Sequence, residues 1–200
     1  MIARSTPLAM RPEGLGGRVF GALMEAINAP AYRFALDLLE IEPESDVLEI
    51  GFGTGRMIEL MLARTSGLVV GVDPARTMVD VANARTTVRR ADARVRLSLG
   101  SDGDLDFPPA SFNRVVALHS FQFWPDPSTT VRHLRSLLRP EGRFTLVLRG
   151  HSRGGADWLP NPLSKAADEP EAARRLLADQ GFDARLFRRA RMVGVVGDLR

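Results

Sequence analysis

Three glycines, Gly51, Gly53 and Gly55, alternate in the segment VLEIGFGTG, after an apolar run and before the helical pattern RMIELMLAR. Glycine at such a bend lets a ligand approach the backbone, and the first turn of a helix offers unpaired N–H groups to an anionic group. The spacing is G-x-G-x-G, because Arg56 stands where the dinucleotide fingerprint G-x-G-x-x-G has its third glycine. The sequence therefore predicts a cofactor loop and makes a nicotinamide oxidoreductase the weaker alternative.

Asp73 ends the next apolar run, GLVVGVD, and is a second residue whose chemistry suits a cofactor. A carboxylate can accept hydrogen bonds from two adjacent hydroxyl groups, such as those of a ribose, and its charge strengthens each bond. Asp73 alone could instead cap the helix that begins near Pro74. Together with the glycines, its position at a strand end favours the cofactor interpretation.

Hydrophobic periodicity places these residues in a series of alternating strands and helices. This alternation predicts a parallel sheet with helices on both faces. The last two strand candidates are separated only by Ala190, which predicts an antiparallel hairpin. The predicted strands are 46–50, 67–73, 94–100, 113–119, 143–150, 182–189 and 191–198, and the predicted helices include 55–65, 75–85, 127–138 and 169–182.

Two segments lie outside this series. Residues 12–41 predict two helices broken at Pro30, and residues 150–170, rich in Gly, Pro and Ser, predict a loop at the ligand edge of the sheet. The 200 residues, of which 44% are apolar and 26% charged, suffice for one globular core. We predict a single domain over residues 1–200, with an N-terminal helical cover (1–43) and an α/β core (44–200).

Composition narrows the class of protein. The chain has no cysteine, so it has neither disulfides nor a thiolate metal site, which suits a reducing cytoplasm. We find no secretion signal and no apolar run near the roughly 18 residues of a membrane helix. Formal net charge is only +3, and the basic runs 85–96 and 185–191 lack interleaved aromatic residues, which predicts solvated edges rather than a nucleic-acid groove. We predict a cytoplasmic protein, monomeric or homodimeric, without membrane or metal.

Three segments together resemble the class I S-adenosylmethionine-dependent methyltransferases: VLEIGFGTG, VVGVDPARTMVDVA and LSLGSDGDLDFPPASFNRVVALHSFQFWPDP. The closing segments LLADQGFDARLFRR and RMVGVVGD are also similar to that family's final helix and hairpin. The resemblance implies a Rossmann-like, seven-stranded, mostly parallel sheet with helices on both faces and a C-terminal antiparallel hairpin. It also implies S-adenosylmethionine as cofactor and methyl transfer to an acceptor by in-line displacement.

The resemblance further implies which residues bind the cofactor. Glu49, Gly51, Gly53 and Gly55 form the family's first motif, which lies under the methionine half of the cofactor. Asp73 binds the ribose hydroxyls, and Pro74 and Met78 line the adenine and ribose pocket. The family commonly has Gly-Asp-Ala after the third strand where this chain has Gly100, Ser101 and Asp102, so either Ser101 or Asp102 contacts the adenine. The implied residues are Glu49, Gly51, Phe52, Gly53, Gly55, Asp73, Pro74, Met78, Ser101, Asp102 and His119.

The methyl acceptor is the part of the predicted function that the sequence determines least. We expect Tyr32, Phe121, Trp124 and His151 to face it, although the aromatic residues after the fourth strand also fit a hydrophobic lid. A base is needed only if a hydroxyl or protonated amine is methylated, and His119, His151 and Tyr32 are the candidates, none of them assigned a catalytic role. LHSFQFW replaces the Asp/Asn-Pro-Pro-Tyr sequence of nucleic-acid and protein amino methyltransferases, which favours a small-molecule acceptor. The alternatives are an RNA or DNA methyltransferase and a catalytically silent S-adenosylmethionine-binding protein.

Overall fold

The computed structural model describes residues 14–149 and 168–200, and their side chains apart from those of 14–24, 92 and 149. His151 and most of the predicted loop 150–170 lie outside this part of the chain. The helices are α1 (Gly14–Leu39), α2 (Arg56–Leu62), α3 (Arg76–Asn83), α4 (Thr86–Arg90), α5 (Pro127–Leu137) and α6 (Glu169–Asp179). The strands are β1 (Val47–Ile50), β2 (Val69–Asp73), β3 (Val95–Leu99), β4 (Phe112–Leu118), β5 (Leu138–Arg149), β6 (Asp183–Arg189) and β7 (Met192–Asp198).

The seven strands form one sheet in the order β3-β2-β1-β4-β5-β7-β6. Strands β1 to β5 run parallel, whereas β7 pairs antiparallel with both β5 and β6. The predicted Rossmann-like sheet and its C-terminal hairpin are thereby confirmed. Strand order reverses between β1 and β4, so their carboxyl ends flank the crevice in which open α/β sheets bind ligands.

The sheet separates two hydrophobic clusters. Neighbouring residues of a strand face opposite sides, as Val47 and Leu48 of β1 do. Helices α1 to α4 cover one face and α5 and α6 the other, so the prediction of helices on both faces is confirmed. The predicted apolar helix faces are buried in these clusters, through Met57, Met61, Val79 and Ala82 on α2 and α3 and through Val131 and Leu134 on α5, and Met78 is buried beside them.

Helix α1 is continuous, so the prediction of two helices broken at Pro30 is wrong. A proline inside a helix removes one backbone hydrogen bond and costs about 3 kcal/mol or more. Pro30 itself is exposed, but the turns that follow are anchored by buried side chains such as Phe34 and Leu39. Burying each large apolar side chain contributes about 1.5–3 kcal/mol, which offsets the cost of the proline. Residues 31–39 of the predicted cover therefore belong to the core.

The start of one strand and the presence of one helix also differ from the predictions. Strand β5 begins at Leu138 rather than at Arg143, because Pro140 cannot continue α5 and the pairing with β4 shifts register between Phe112 and Arg114. Helix α4 lies within the basic run 85–96, for which no helix was predicted. Among the described residues, no helix combines the length and the apolar character needed to cross a membrane.

Candidate active site

The glycine loop, residues 51–55, joins β1 to α2 at the crevice. Gly51, Gly53 and Gly55 have φ angles of 78°, 54° and 79°. A side chain at any of these positions would strain the backbone, because L-residues rarely adopt this left-handed conformation. The alternating glycines are therefore required first by the path of the chain itself.

The space around the loop distinguishes the three glycines. A Cβ atom added to Gly51 would lie 2.7 Å from the Cβ of Ser120, and one added to Gly55 would lie 2.7 Å from the Cβ of Ala82. At Gly53 an added Cβ meets no described atom within 4 Å. Gly51 and Gly55 thus leave room for neighbouring side chains of the protein itself, whereas Gly53 faces open space at the carboxyl end of β1.

Asp73 fixes this loop from the end of the neighbouring strand. One oxygen of its carboxylate accepts a hydrogen bond from the Gly53 N–H at 2.8 Å, and the other accepts from the Ala75 N–H at 2.9 Å. Its side chain is only 5% exposed, and burial raises its pKa while these two N–H groups lower it. Asp73 therefore orders both the loop and the start of α3. Because a carboxylate has about four acceptor positions, it retains capacity for ligand hydroxyls.

Glu49 is a second buried carboxyl beside Asp73. It is 1% exposed, and its Oε2 has no hydrogen-bond partner within the described part of the chain. Burial, and then the neighbouring Asp73, raise the pKa of Glu49 well above its ordinary value. Two carboxyls with raised pKa values at the ligand edge are typical of a functional site, and a cationic ligand would relieve both.

Tyr32 on α1 lies close enough to Glu49 for that carboxyl to affect the pKa of its phenol. Burial, then Glu49 and then Glu25, raise the pKa of its phenol. The phenol therefore stays protonated at neutral pH and suits the role of hydrogen-bond donor rather than that of base. Tyr32 also lines a cavity of about 330 Å³ between α1 and the start of α2, together with Glu25, Ala26, Ala29 and Arg56.

The end of β3 supplies an apolar surface beside Asp73. Leu99 is paired with Asp73 in the sheet and is 40% exposed. Ser101 is exposed at this edge, and its N–H and hydroxyl donate to Asp104 at 2.7 and 3.1 Å. The Asp102 carboxylate instead lies 4.0 Å from the Nδ1 atom of His133 on α5. Leu99 was not singled out from the sequence, in which nothing distinguishes it from a core residue.

The crevice is completed by the residues that follow β4. His119 has a φ of 54°, and its N–H donates to the Val147 carbonyl at 2.9 Å. The Ser120 hydroxyl donates to the Ile50 carbonyl at 2.7 Å, which ties this segment to the end of β1. A non-glycine residue in the left-handed region is strained, and of the five such residues among those described His119 is the one that follows β4 at the crevice.

Of the predicted contact residues, Phe52, Met78 and Phe121 are buried in the core and Trp124 is partly buried against it. Phe52 lies across Gly71, where an added Cβ would be 2.6 Å from its ring, and Met78 is buried. Phe121 and Trp124 pack edge to face at 5.3 Å on the α5 side of the sheet, the face opposite to Tyr32. These two aromatic residues are thus not brought together with Tyr32 and pack against the core on the other face of the sheet. Pro74 is exposed at the ligand edge.

Four arginines of the basic runs bind groups of the protein. In the first run Arg85 and Arg94 are partly buried, and in the second run Arg185 and Arg189 are exposed but paired with carboxylates. Their partners are Glu25, Glu59 and Thr54 for Arg85, Thr65 and Gly67 for Arg94, Asp198 for Arg185, and Asp37 for Arg189.

Comparison with known proteins places this geometry in a family. Residues 48–146 match the methyltransferase domain family. A nocamycin O-methyltransferase of Saccharothrix syringae is 36% identical over 141 residues, covering 69% of this chain and 50% of that protein. The 27-O-demethylrifamycin SV methyltransferase of Amycolatopsis mediterranei is 30% identical over 131 residues, covering 66% of this chain and 46% of that protein. The chain thus spans about half the length of these curated relatives.

A solved structure shares the whole fold. Geranyl diphosphate C-methyltransferase from Streptomyces coelicolor A3(2), in complex with Mg²⁺, geranyl diphosphate and S-adenosyl-L-homocysteine, superposes with a TM-score of 0.69 at 15% identity. The superposition covers 98% of this chain and 88% of that one. Fold and glycine loop define a Rossmann-like α/β domain of the methyltransferase type. The chain belongs to the class I S-adenosylmethionine-dependent methyltransferases, as the resemblance predicted.

The described residues fit the cofactor that this family uses. Open space lies over the backbone at Gly53, where a side chain would intrude. A carboxylate with remaining acceptor capacity ends β2, and the exposed Leu99 offers an apolar surface next to it. The buried Glu49 carboxyl, which has one oxygen without a partner among the described residues, would stabilise a cationic group.

Proposed function

We propose that this protein transfers a methyl group from S-adenosylmethionine to a small-molecule acceptor by in-line displacement. The observation that carries the proposal is the open space at Gly53 beside the Asp73 carboxylate, in the crevice between β1 and β4. A ligand in this space lies against the Gly53 backbone and can donate hydroxyl hydrogen bonds to Asp73. An adenosine with an amino-acid tail carries both hydroxyls and a cationic group.

Each part of the edge has a proposed role in holding the cofactor. Asp73 accepts from the ribose hydroxyls, Leu99 and Pro74 pack against the adenine, and Glu49 compensates the ammonium group. Ser101 is a better candidate than Asp102 for the adenine amino group, because it is exposed and its hydroxyl oxygen can still accept. When bound, the cofactor supplies a methyl group on a sulfonium centre that is already activated for displacement. The protein then has mainly to position the acceptor.

The cavity beside Tyr32 is the proposed acceptor site. Ala26 and Ala29 give it small apolar walls, and the protonated phenol of Tyr32 can orient an acceptor by donating a hydrogen bond. Two relatives are named for O-methylation, which supports an acceptor hydroxyl. Such a hydroxyl must lose its proton, and His119 at the end of β4 is the described candidate for a base. We further propose that residues 1–43 and the segment around His151 cover this site within one domain of 1–200.

Titration calorimetry tests the proposed cofactor site. We expect S-adenosylmethionine and S-adenosylhomocysteine each to bind at one site per chain, and NAD to give no binding. Gly53→Ala should weaken both by about tenfold or more, because its methyl group enters the open space. Gly181→Ala is the matched control: Gly181 also has a positive φ, 85°, but follows α6 away from the crevice. Both substitutions should cost about 1–2 kcal/mol of stability, and only the first should cost affinity.

A clear preference for NAD would overturn the proposal, as would equal losses of affinity in the two alanine variants. Turnover is measured by mass spectrometry of a panel of hydroxyl-bearing acceptors after incubation with S-adenosylmethionine. Binding without transfer to any of them would favour the silent cofactor-binding protein over the enzyme.

A further inference from the structure

Arg85 connects three parts of the ligand edge through one side chain. It follows α3, and its guanidinium turns back to the glycine loop, where Nε donates to the Thr54 carbonyl at 2.6 Å. Its Nη1 donates to Glu59 on α2 and its Nη2 to Glu25 on α1. All three guanidinium nitrogens are thus engaged, and the side chain is only 19% exposed.

Thr54 is the residue through which Arg85 acts on the loop. It lies between two glycines in the left-handed conformation, outside α2 and β1. Its carbonyl accepts from Arg85, and its hydroxyl donates to Glu25 at 2.8 Å. On the preceding residue, the Gly53 N–H is held by Asp73. The loop is therefore fixed from two directions, by an anion at its N–H group and by a cation at its carbonyl.

The charges around Arg85 form a balanced group of two cations and two anions. Arg56 lies with Nη1 at 3.1 Å from the Glu59 carboxylate and with Nε at 3.9 Å from that of Glu25. Glu25 and Arg56 also line the 330 Å³ cavity proposed for the acceptor. Arg85 is thus the link between the loop and the helix that forms one wall of the cavity.

We infer that Arg85 is a positioning residue for methyl transfer. It holds the Thr54 carbonyl, and with it the glycine loop, in the geometry that binds the cofactor, and it holds α1 against that loop through Glu25. The inference rests on the proposed function. A planar guanidinium donates in three fixed directions, which the single ammonium of lysine cannot reproduce. Charge alone should therefore not replace Arg85.

The experiment compares Arg85→Lys and Arg85→Gln with Arg94→Gln. Arg94 is a matched control, because its Nη1 also donates to backbone carbonyls, those of Thr65 and Gly67, away from the glycine loop. Calorimetry with S-adenosylhomocysteine should show about tenfold or greater weakening in both Arg85 variants and none in Arg94→Gln. In the ligand-free proteins, hydrogen exchange of the Gly53 and Gly55 amides should accelerate in the Arg85 variants alone. Arg85→Lys keeps the charge and provides a folded variant if Arg85→Gln does not fold.

Unchanged affinity in a folded Arg85 variant would overturn the inference, and so would equal weakening in Arg94→Gln. If the unsubstituted protein does not bind S-adenosylhomocysteine, the proposed function fails instead. The exchange measurement then still decides about Arg85, since unaltered exchange at Gly53 and Gly55 contradicts its positioning role without any ligand.

Discussion

The amino and carboxyl edges of the sheet both hold carboxylates, but in different surroundings. At the amino edge, Asp46 accepts from the Leu68 N–H at 2.8 Å and from the Arg139 guanidinium at 2.7 Å. The Asn113 side chain accepts from the Asp46 N–H and from Arg139. Arg143 pairs with Asp198 in the same region. Each of these carboxylates is compensated by a cation of the protein, so the network joins strands and loops to one another.

The carboxyl edge lacks that compensation around its two buried carboxyls. Asp73 accepts from backbone N–H groups, and Glu49 has an oxygen without a partner among the described residues. Burial raises the pKa of both. A buried carboxyl without a cationic partner costs stability when it ionises, and a ligand that supplies cationic and hydroxyl groups recovers that stability. The comparison therefore separates an edge that stabilises the fold from an edge that binds.

Asp73→Ala should have the largest effect on binding. It removes the proposed acceptor of the ribose hydroxyls and the partner of the Gly53 N–H, so the cofactor should bind about 1.5–3 kcal/mol more weakly, or more where the loop also loosens. Asp73→Asn retains one acceptor oxygen and should give an intermediate loss. Calorimetry with S-adenosylhomocysteine measures both, and circular dichroism checks folding. Unchanged affinity in folded Asp73→Ala would rule out the ribose role.

Asp46→Ala should show the opposite pattern at the amino edge. It leaves the Leu68 N–H and Arg139 without their acceptor, and we expect the free energy of unfolding to fall by about 1–3 kcal/mol. The cofactor affinity should not change. Urea titration and calorimetry give the two quantities, with Asp46→Asn as the milder variant. A loss of affinity as large as that of Asp73→Ala would remove the distinction between the two edges.

The fold was predictable because its signals are local. Apolar runs, the short connection at Ala190 and Arg191 between the last two strands, and Gly181 after α6 each act within a few positions of the chain. Asp73 was a candidate for the same reason, since a carboxylate at a strand end is visible in the sequence. Its ribose role, like the roles of Glu49 and Gly53, stays a prediction. Helix α1 shows the limit of local signals, because tertiary burial overrides the proline that suggested a break.

The rest of the site depends on contacts that join distant parts of the chain. Arg85 meets Thr54 across 31 positions, and in the sequence it belongs to a basic run that predicts a solvated edge. Leu99 is an apolar strand residue whose exposure follows from its place at the end of an edge strand. Conversely, Phe52 and Phe121 follow strands as ligand contacts would, yet their side chains pack inward. Residue type and strand position do not specify on which side of the backbone a side chain lies.

The effect expected to be smallest, when taken per pH unit, is in the pH dependence of the free energy of unfolding, and it tests the carboxyl edge most directly. Burial and the neighbouring Asp73 raise the pKa of Glu49, so between about pH 4.3 and that folded-state pKa the native protein binds more protons than the unfolded chain. The extra proton bound by the native protein contributes to its stability. This contribution is complete below the pKa of Glu49 in the unfolded chain and is lost as pH rises through its pKa in the folded protein. The free energy of unfolding should therefore fall with rising pH, at most by about 1.4 kcal/mol per pH unit for one proton.

Glu49→Gln should remove the Glu49 contribution to this slope and make the protein more stable than the unsubstituted chain at the alkaline end of the interval. Asp73 contributes with the same sign, so part of the slope should persist. Glu44→Gln, at an exposed position, is the control and should leave the slope unchanged. Urea titrations from pH 4 to pH 8 provide the comparison, and parallel curves for Glu49→Gln and the unsubstituted chain would contradict the prediction. S-adenosylhomocysteine should reduce the slope, because its ammonium group favours the ionised form of Glu49. The ammonium group would then compensate Glu49 as the Arg139 guanidinium compensates Asp46 at the opposite edge.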